Sequence, residues 1–544
     1  MSDFRVEKDF IGEVKIPKDK HYGINTQRSL VNFKIGNTVD GNKMPKEIIE
    51  AFIIIKKVAA QTNEELGELD EQKASAIINA CDHILADLNT FYENDFPLVI
   101  WQTGSGTQTN MNVNEVIASV ANEKLTGKRG AKTPISPNDH VNMGQSSNDT
   151  FPTAMHLAVC IASAKKLCPA LCMLKKALKS KSVDFEDIIK VGRTHLQDAI
   201  PMTLGQEFSG FFQQTENSVE RIAASLKNVC MLAQGGTAVG TGLNANAGFA
   251  WHFAHNMNQI VKLSDIFSEA FAASLGYKIK PELSQDAHLN PNLKKQFVKD
   301  ETHKEYNRDA NGIVVDEDKM IGDEEMIDIE LLSKADCVLH KFETAPNKFE
   351  AIASHDAMVE FAGTLNTVSV SLIKIANDIR LLSSGPRCMI GEITLPANEA
   401  GSSIMPAKVN PTQCEALAMV SCQVMGNCNT VSIAVSHGHL QLNTFKPVIA
   451  QNVIQSINLM SDAVNSFVKN CVNGIKANES RASSFVEQSL MVATALTKTL
   501  GYETVADVVK KAIKTGKTVK EIVVEDKLMT AKECDKAMSP KNLV

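Results

Sequence analysis

The chain has 544 residues, with 56 Lys plus Arg against 63 Asp plus Glu, and 44% of its residues are hydrophobic. A net charge of -7 and a pI near 6.0 exclude the basic footprint of a nucleic-acid binder. No stretch of about 18 uncharged apolar residues stands ready to span a bilayer, so no nucleic-acid and no membrane partner is expected.

The length exceeds one compact core and predicts two to four domains. Aromatics are only 5%, while Ala, Lys, Glu, Leu and Met are plentiful, a balance that favours helix over strand. Residues 1–10 carry acids and neither an apolar run nor an Arg/Ser-rich amphipathic one, so no secretory or transit signal is read there. The 12 cysteines are scattered without a CxxC pair. Cys168 and Cys172 share a helix face at best, and two thiols do not make a zinc site. Free thiols in a reducing compartment, the cytoplasm, are the expectation.

Residues 1–145 read as an N-terminal domain of short helical patterns and loops. The stretches 103–110 and 134–148 are rich in Gly, Ser, Thr, Asn and Pro; such stretches form surface loops and candidate site loops. Residues 146–475 read as a central domain of long helices. Ser146-Ser147-Asn148-Asp149 has the composition of a helix N-cap before a helix over 153–164.

Residues 263–342 interrupt that pattern. From Lys278 to Phe342 there are 15 acids against 10 Lys plus Arg, a net of -5. Asp316 and Asp318 begin as a calcium loop does, but Ile321 occupies the place of its required glycine. A solvated surface insertion is the better reading. The clearest helix follows Lys446, with Pro447 at a first helical position. Val453, Ile457, Met460, Val464, Phe467 and Cys471 then recur at steps of four and three, a heptad seam that says bundle and not chemistry. Residues 476–544 read as a small C-terminal helical domain broken at Gly501 and Gly516.

Four polar segments stand out: Gly104-Ser105-Gly106-Thr107-Gln108-Thr109-Asn110, Gln145-Ser146-Ser147-Asn148-Asp149, Gly192-Arg193-Thr194-His195-Leu196-Gln197-Asp198, and Gly401-Ser402-Ser403-Ile404-Met405-Pro406-Ala407-Lys408-Val409-Asn410-Pro411. Hydroxyls, amides and backbone N–H groups bind carboxylates without full charge, and Lys408 supplies one cation. Helix N-termini beyond these loops add positive potential. Each segment also has a plainer reading. Ser146 is explained by capping alone, and a lone His195 is as well explained as a hydrogen-bonded loop histidine. The first segment lacks the Gly-Lys-Ser/Thr ending of a nucleotide loop, and no Gly-x-Ser-x-Gly elbow supports a hydrolase. The residues by themselves reach a helical bundle with polar loops suited to a small acid.

At these segments the chain resembles the aspartase/fumarase superfamily, whose signature loop has the form Gly-Ser-Ser-x-Met-Pro-x-Lys-x-Asn. The likeness covers nearly the whole chain except about 263–342. Within the superfamily it is most similar to the class II fumarases, by Trp101-Gln102-Thr103-Gly104-Ser105-Gly106-Thr107, Ser146-Ser147-Asn148-Asp149-Thr150-Phe151-Pro152 and Gly205-Gln206-Glu207-Phe208-Ser209-Gly210. Aspartate ammonia-lyases tend to carry Gly-Gly-Ala-Gly-Thr in the first segment and Thr at the position of Ser147. That activity is the alternative on the same scaffold, with a non-catalytic structural relative behind it.

The resemblance implies an all-α, three-domain fold with a tetrameric core of long helices and active sites built from three chains. It implies reversible hydration of fumarate to malate by anti addition through an aci-carboxylate, with no metal and no cofactor. In that reading Ser402 is the base at C3 and Lys408 with loop N–H groups steadies its alkoxide. His195 acts through a water on the opposite face, and Glu415 orients His195. Ser105, Gly106, Thr107, Ser146, Ser147, Asn148, Thr194, Ser403, Lys408, Val409 and Asn410 bind the carboxylates. A second, peripheral dicarboxylate site would fall at Ser136, Pro137, Asn138 and Asp139.

The chain departs from the pattern at several places. Ala407 replaces the usual loop glycine, so the loop is strained if position 407 takes positive φ. Ser136 stands in place of a histidine of the peripheral site. Gln441 replaces a Glu, and Thr497-Lys498-Thr499 replaces Asn-Pro-His. Ser402, His195, Lys408, Asn410 and Glu415 all stand.

Overall fold

The computed structural model describes residues 4–36, 41–130, 132–275, 277–279, 297–299 and 339–538. At its centre five long helices pack side by side, which bears out the all-α reading. They are the continuous run Ser147–Ala162 to Cys168–Asp184, then Leu204–Val229, Asp356–Leu382, Thr412–Ser436 and Lys446–Asn470. Asp356–Leu382 packs on both Leu204–Val229 and Thr412–Ser436. Lys446–Asn470 packs on Thr412–Ser436 and on the 147–184 run, and Cys168–Asp184 closes back on Leu204–Val229. All six seam positions from Val453 to Cys471 are buried, as the heptad spacing predicts.

The 147–184 run widens into one open turn at Ser163–Leu167. The cause is Pro169, which has no N–H to return to the carbonyl four residues back. This run is long and apolar enough to cross a membrane by length and composition, yet 78% of its most apolar window is buried inside the fold, as in a core helix.

The N-terminal region is more regular than its composition suggests. Two helices of 20 residues each, Lys46–Glu65 and Thr107–Thr126, form its body. The buried faces of Lys46–Glu65, including Phe52, Ile55 and Val58, belong to the same apolar core as the bundle. The C-terminal region has its own core around Leu496, Ile522 and Val523. Gly516 caps its helix Tyr502–Thr515 at φ +70°, and Gly501 sits at φ +81° before it, as the two breaks require.

Two expectations need correction. Residues 263–275 are not part of a surface excursion. Leu263–Ser274 is a helix whose Phe267 and Phe271 are buried in the main core, and Phe342 returns to that core. The remainder of the acidic stretch, with the calcium-like residues around Asp316, lies outside the described residues. The second correction is local. Residues 189–203 form a β-hairpin, Ile189–Thr194 paired antiparallel with Gln197–Thr203, inside an otherwise helical chain.

Candidate functional site

Two helix N-termini meet where the first two polar segments lie. Thr107 opens the helix Thr107–Thr126 and Ser147 opens Ser147–Ala162. Their hydroxyls are 2.9 Å apart, and Ser105 Oγ stands 3.0 Å from Thr107 Oγ1. Ser146 caps its helix in a reciprocal capping box with Asp149, so the capping reading and the site reading are both met by one serine-rich turn. The positive ends of two helices and three hydroxyls converge here, an arrangement that can seat a carboxylate, although Thr109 N–H already donates to Gln102 Oε1 at 3.1 Å and Asn148 N–H to Ser146 Oγ at 3.2 Å.

Glycine is required twice in holding this seat. Gly106 has φ +80°, and a Cβ there would stand 1.9 Å from the Phe151 ring. A Cβ on Gly104 would fall 1.3 Å from the Thr444 carbonyl oxygen. The first segment is thus pressed between Phe151 and the chain entering Lys446–Asn470.

Beneath the seat the charges are buried. Asp149 accepts the N–H groups of Ser146, Gly235 and Thr237 at 2.9, 3.0 and 2.8 Å. Burial nevertheless pushes its carboxyl up to about 6. Lys56 donates to Asn142 Oδ1 and Gln145 Oε1, both at 3.0 Å, and burial brings it down to about 7. Asn148 donates from Nδ2 to the Ala238 carbonyl at 2.8 Å. Lys446 lies under both segments; its burial likewise lowers it to about 7. Sequence reasoning took Lys446 only as the edge of a helix. The available signal was a lysine placed beside Pro447 at the buried start of an apolar helix.

The third segment is the tip of the β-hairpin. His195 and Leu196 are its two turn residues, at φ +57° and +59°. Positive φ at both central positions is the two-residue turn that suits strand twist. Here it is made without glycine, so strain is held at the tip. Arg193 anchors the hairpin with a two-pronged ion pair to fully buried Glu392, at 3.0 and 2.9 Å. Lys190 adds contacts to Glu392 at 3.3 Å and Glu207 at 2.7 Å. A rigid base therefore presents an exposed Thr194 and His195 to the outside of the chain.

The fourth segment is a loop just before the helix Thr412–Ser436. Its neck is closed by Gly401 N–H to the Lys408 carbonyl at 2.9 Å and Asn410 Nδ2 to the Gly401 carbonyl at 2.6 Å. Ser402 Oγ accepts the N–H groups of Ile404 and Met405 at 3.2 and 3.0 Å. Two N–H donors on one hydroxyl oxygen lower the cost of negative charge there. Ala407 takes φ +62°, so the strain inferred from the missing glycine is present. Ser403, Lys408 and Val409 are exposed on the loop, and Glu415 is exposed in the first turn of the helix.

One chain brings together Ser105, Gly106, Thr107, Ser146, Ser147 and Asn148. Among the described residues, no hydrogen bond or ion pair joins His195 to Glu415 or to Ser402, and none joins that group to the hydroxyl seat. At the peripheral segment, Ser136 Oγ donates to Asp139 Oδ2 at 2.8 Å and accepts the Asp139 N–H at 3.2 Å. Ser136 and Asp139 thus bond to each other around the turn Pro137–Val141. A cavity of about 510 Å³ lies elsewhere, between His21, His83, Asp95 and Arg129, and holds none of the candidate residues.

The family model described as lyase matches residues 12–274 and 324–426, and the model described as fumarase C C-terminus matches 492–544. The gap between the two parts of the first match, 275–323, falls inside the acidic stretch. The class II fumarate hydratase of Rickettsia felis is 48% identical, with 100% of both chains covered. The mitochondrial fumarate hydratase of Rattus norvegicus is 45% identical over all of this chain and 91% of its own. Among solved structures, the class II fumarase of Schistosoma mansoni superposes with a TM-score of 0.81 at 38% identity, covering 99% of this chain and 98% of that one. A fumarate lyase:delta crystallin from Brucella melitensis, bound to cobalt, gives 0.79 at 35% identity, covering 99% and 98%.

Proposed function

The chain belongs to the class II fumarate hydratases, hydro-lyases of the lyase family, and from this premise we propose how its residues carry the reversible hydration of fumarate to malate. The observation that carries the reading is the pair of helix N-termini with Thr107 and Ser147 hydroxyls 2.9 Å apart. Such a seat grips one carboxylate of a four-carbon diacid with neutral donors.

In the malate-to-fumarate direction, Ser402 as alkoxide takes the proton from C3. The C–H electrons move into the adjacent carboxylate, making the doubly charged aci form. They return to form the C2–C3 double bond as hydroxide leaves C2 from the opposite face, protonated to water by way of His195. Proton removal beside a carboxylate is the hard step, because it adds negative charge to a dianion. Tighter binding of the aci form than of malate is what makes rate. The N–H groups of Ile404 and Met405 on Ser402 Oγ, with Lys408, support the alkoxide. Glu415 orients His195; Thr194, Ser403, Val409 and Asn410 complete the carboxylate contacts. Because His195, Glu415 and the Ser402 loop face outward, we place these groups in one site by assembly of three chains of a homotetramer. The cysteines are scattered along the chain without a CxxC pair, and the cytoplasm is the setting proposed.

Purified protein tests the substrate through the ultraviolet absorbance of fumarate. Absorbance should grow with malate and stay flat with aspartate. Fumarate released from aspartate, or from neither, would overturn the reading.

A further inference from the structure

We propose that Lys446 is a positioning residue for this reaction: a buried cation that holds the two carboxylate-gripping segments in register and gives them the charge their hydroxyls lack. The inference rests on the reading of Thr107 and Ser146–Asn148 as a carboxylate seat.

The geometry is specific. The Lys446 backbone N–H donates to the Gly104 carbonyl at 3.1 Å. Its ammonium donates to the Asn148 carbonyl at 3.3 Å. One residue thus touches the first segment with its main chain and the second with its side chain. The close approach of Gly104 to Thr444 fixes the first of these contacts, since no Cβ fits between them. Lys446 is 0% exposed, so water does not screen its charge.

The ammonium is also under-satisfied. It carries three N–H donors, and the Asn148 carbonyl is its one hydrogen-bond acceptor among the described residues, at a long distance. The titratable groups facing it are Asp149, from the helix Ser147–Ala162, and His355, just before Asp356–Leu382. Asp149 is already engaged by three backbone N–H groups. His355 has no partner on either ring nitrogen, and burial with the nearby Lys446 charge keeps it neutral. Nothing described in the surroundings therefore fully offsets the lysine. A dicarboxylate docked on the Thr107 and Ser147 hydroxyls brings the missing negative charge to the far side of the Asn148 peptide. A buried cation with an incomplete shell of acceptors is costly in the empty protein and favourable once an anion arrives.

Two neutral variants read the charge. Lys446→Met removes both charge and donor; Lys446→Gln keeps an N–H donor but no charge. The probe is succinate, a saturated four-carbon dicarboxylate that competes without reacting. The dissociation constant for succinate and KM for malate should rise roughly 10- to 100-fold in both variants, as for loss of a charged hydrogen-bond partner. At saturating malate, kcat should stay within about threefold, because the contact acts on bound substrate and transition state alike. If Lys446→Met is insoluble, the glutamine variant carries the same test. Ser147→Ala is the companion. If it weakens succinate while Lys446→Gln or Lys446→Met binds within about twofold of the parent, Lys446 is only a structural tie and the proposal fails. If Ser147→Ala itself binds normally, the seat is misassigned and the proposal falls with it.

Discussion

Alanine at position 106 meets two penalties at once. Gly106 sits at φ +80°, and left-handed backbone costs an L-residue with a Cβ about 1–2 kcal/mol. The Cβ would also stand 1.9 Å from Phe151 Cδ2. Phe151 is 0% exposed and packs edge-on against Phe52 at 5.5 Å between centroids, so the ring has no free space to enter. Overpacking of that kind costs about 1–3 kcal/mol. Alanine regains about 0.4–1 kcal/mol by restricting the unfolded chain, which leaves a net loss of roughly 1–5 kcal/mol. A backbone shift at 106 would carry Thr107, the next residue, with it and disturb its 2.9 Å contact with Ser147. The assay is urea unfolding at fixed protein concentration, paired with KM for malate. Gly127→Ala is the control, since Gly127 has φ +72° and nothing within 4 Å of an added Cβ. Gly106→Ala should lower the midpoint more than Gly127→Ala and alone raise KM. Equal midpoints with unchanged KM would refute the packing argument.

Ala407→Gly removes a Cβ from a residue at φ +62° and frees the loop at the same time; stability should move by less than about 1 kcal/mol, with kcat retained. A tenfold loss of kcat would show that the strained loop is needed as it stands. Replacing residues 280–323 by a short Gly/Ser bridge should leave hydratase activity, since the family match breaks at 275–323 and long insertions cost little closure entropy. A folded deletion that binds no dicarboxylate would place the stretch in the site. Dialysis against a strong chelator should leave the rate unchanged, because the proposed seat is built of hydroxyls, amides and one lysine; a loss restored by a divalent ion would contradict that site.

Local signals were the legible ones. The seam from Val453 to Cys471, the cap at Ser146 and the breaks at Gly501 and Gly516 depend on neighbours within a few residues, and each lies where its pattern placed it. The hairpin under His195 was missed because its turn uses His195 and Leu196, neither of them a usual turn residue. The acidic surface reading took in residues 263–275 although Phe267 and Phe271, one helical turn apart, point to a buried face. The hydroxyls of the seat were legible as residue types. The role of Lys446 was not, because its burial comes from Gly104 and Asn148, which lie hundreds of residues away in sequence. Among the described residues no hydrogen bond or ion pair links His195 to Glu415 or Ser402, so their proposed pairing between chains had no local pattern to announce it.

Subunit mixing tests that last point most directly. Ser402→Ala and His195→Asn should each lose roughly 100- to 10,000-fold in turnover as pure proteins, as expected for removed proton handlers. If the two groups of one site come from different chains, dissociating and reassembling an equal mixture creates sites with both groups intact. Random assembly then restores up to about a quarter of the parent activity. Recovery of that order is the result the account predicts. A reassembled mixture of parent size that stays as inactive as either variant would contradict a site shared between chains.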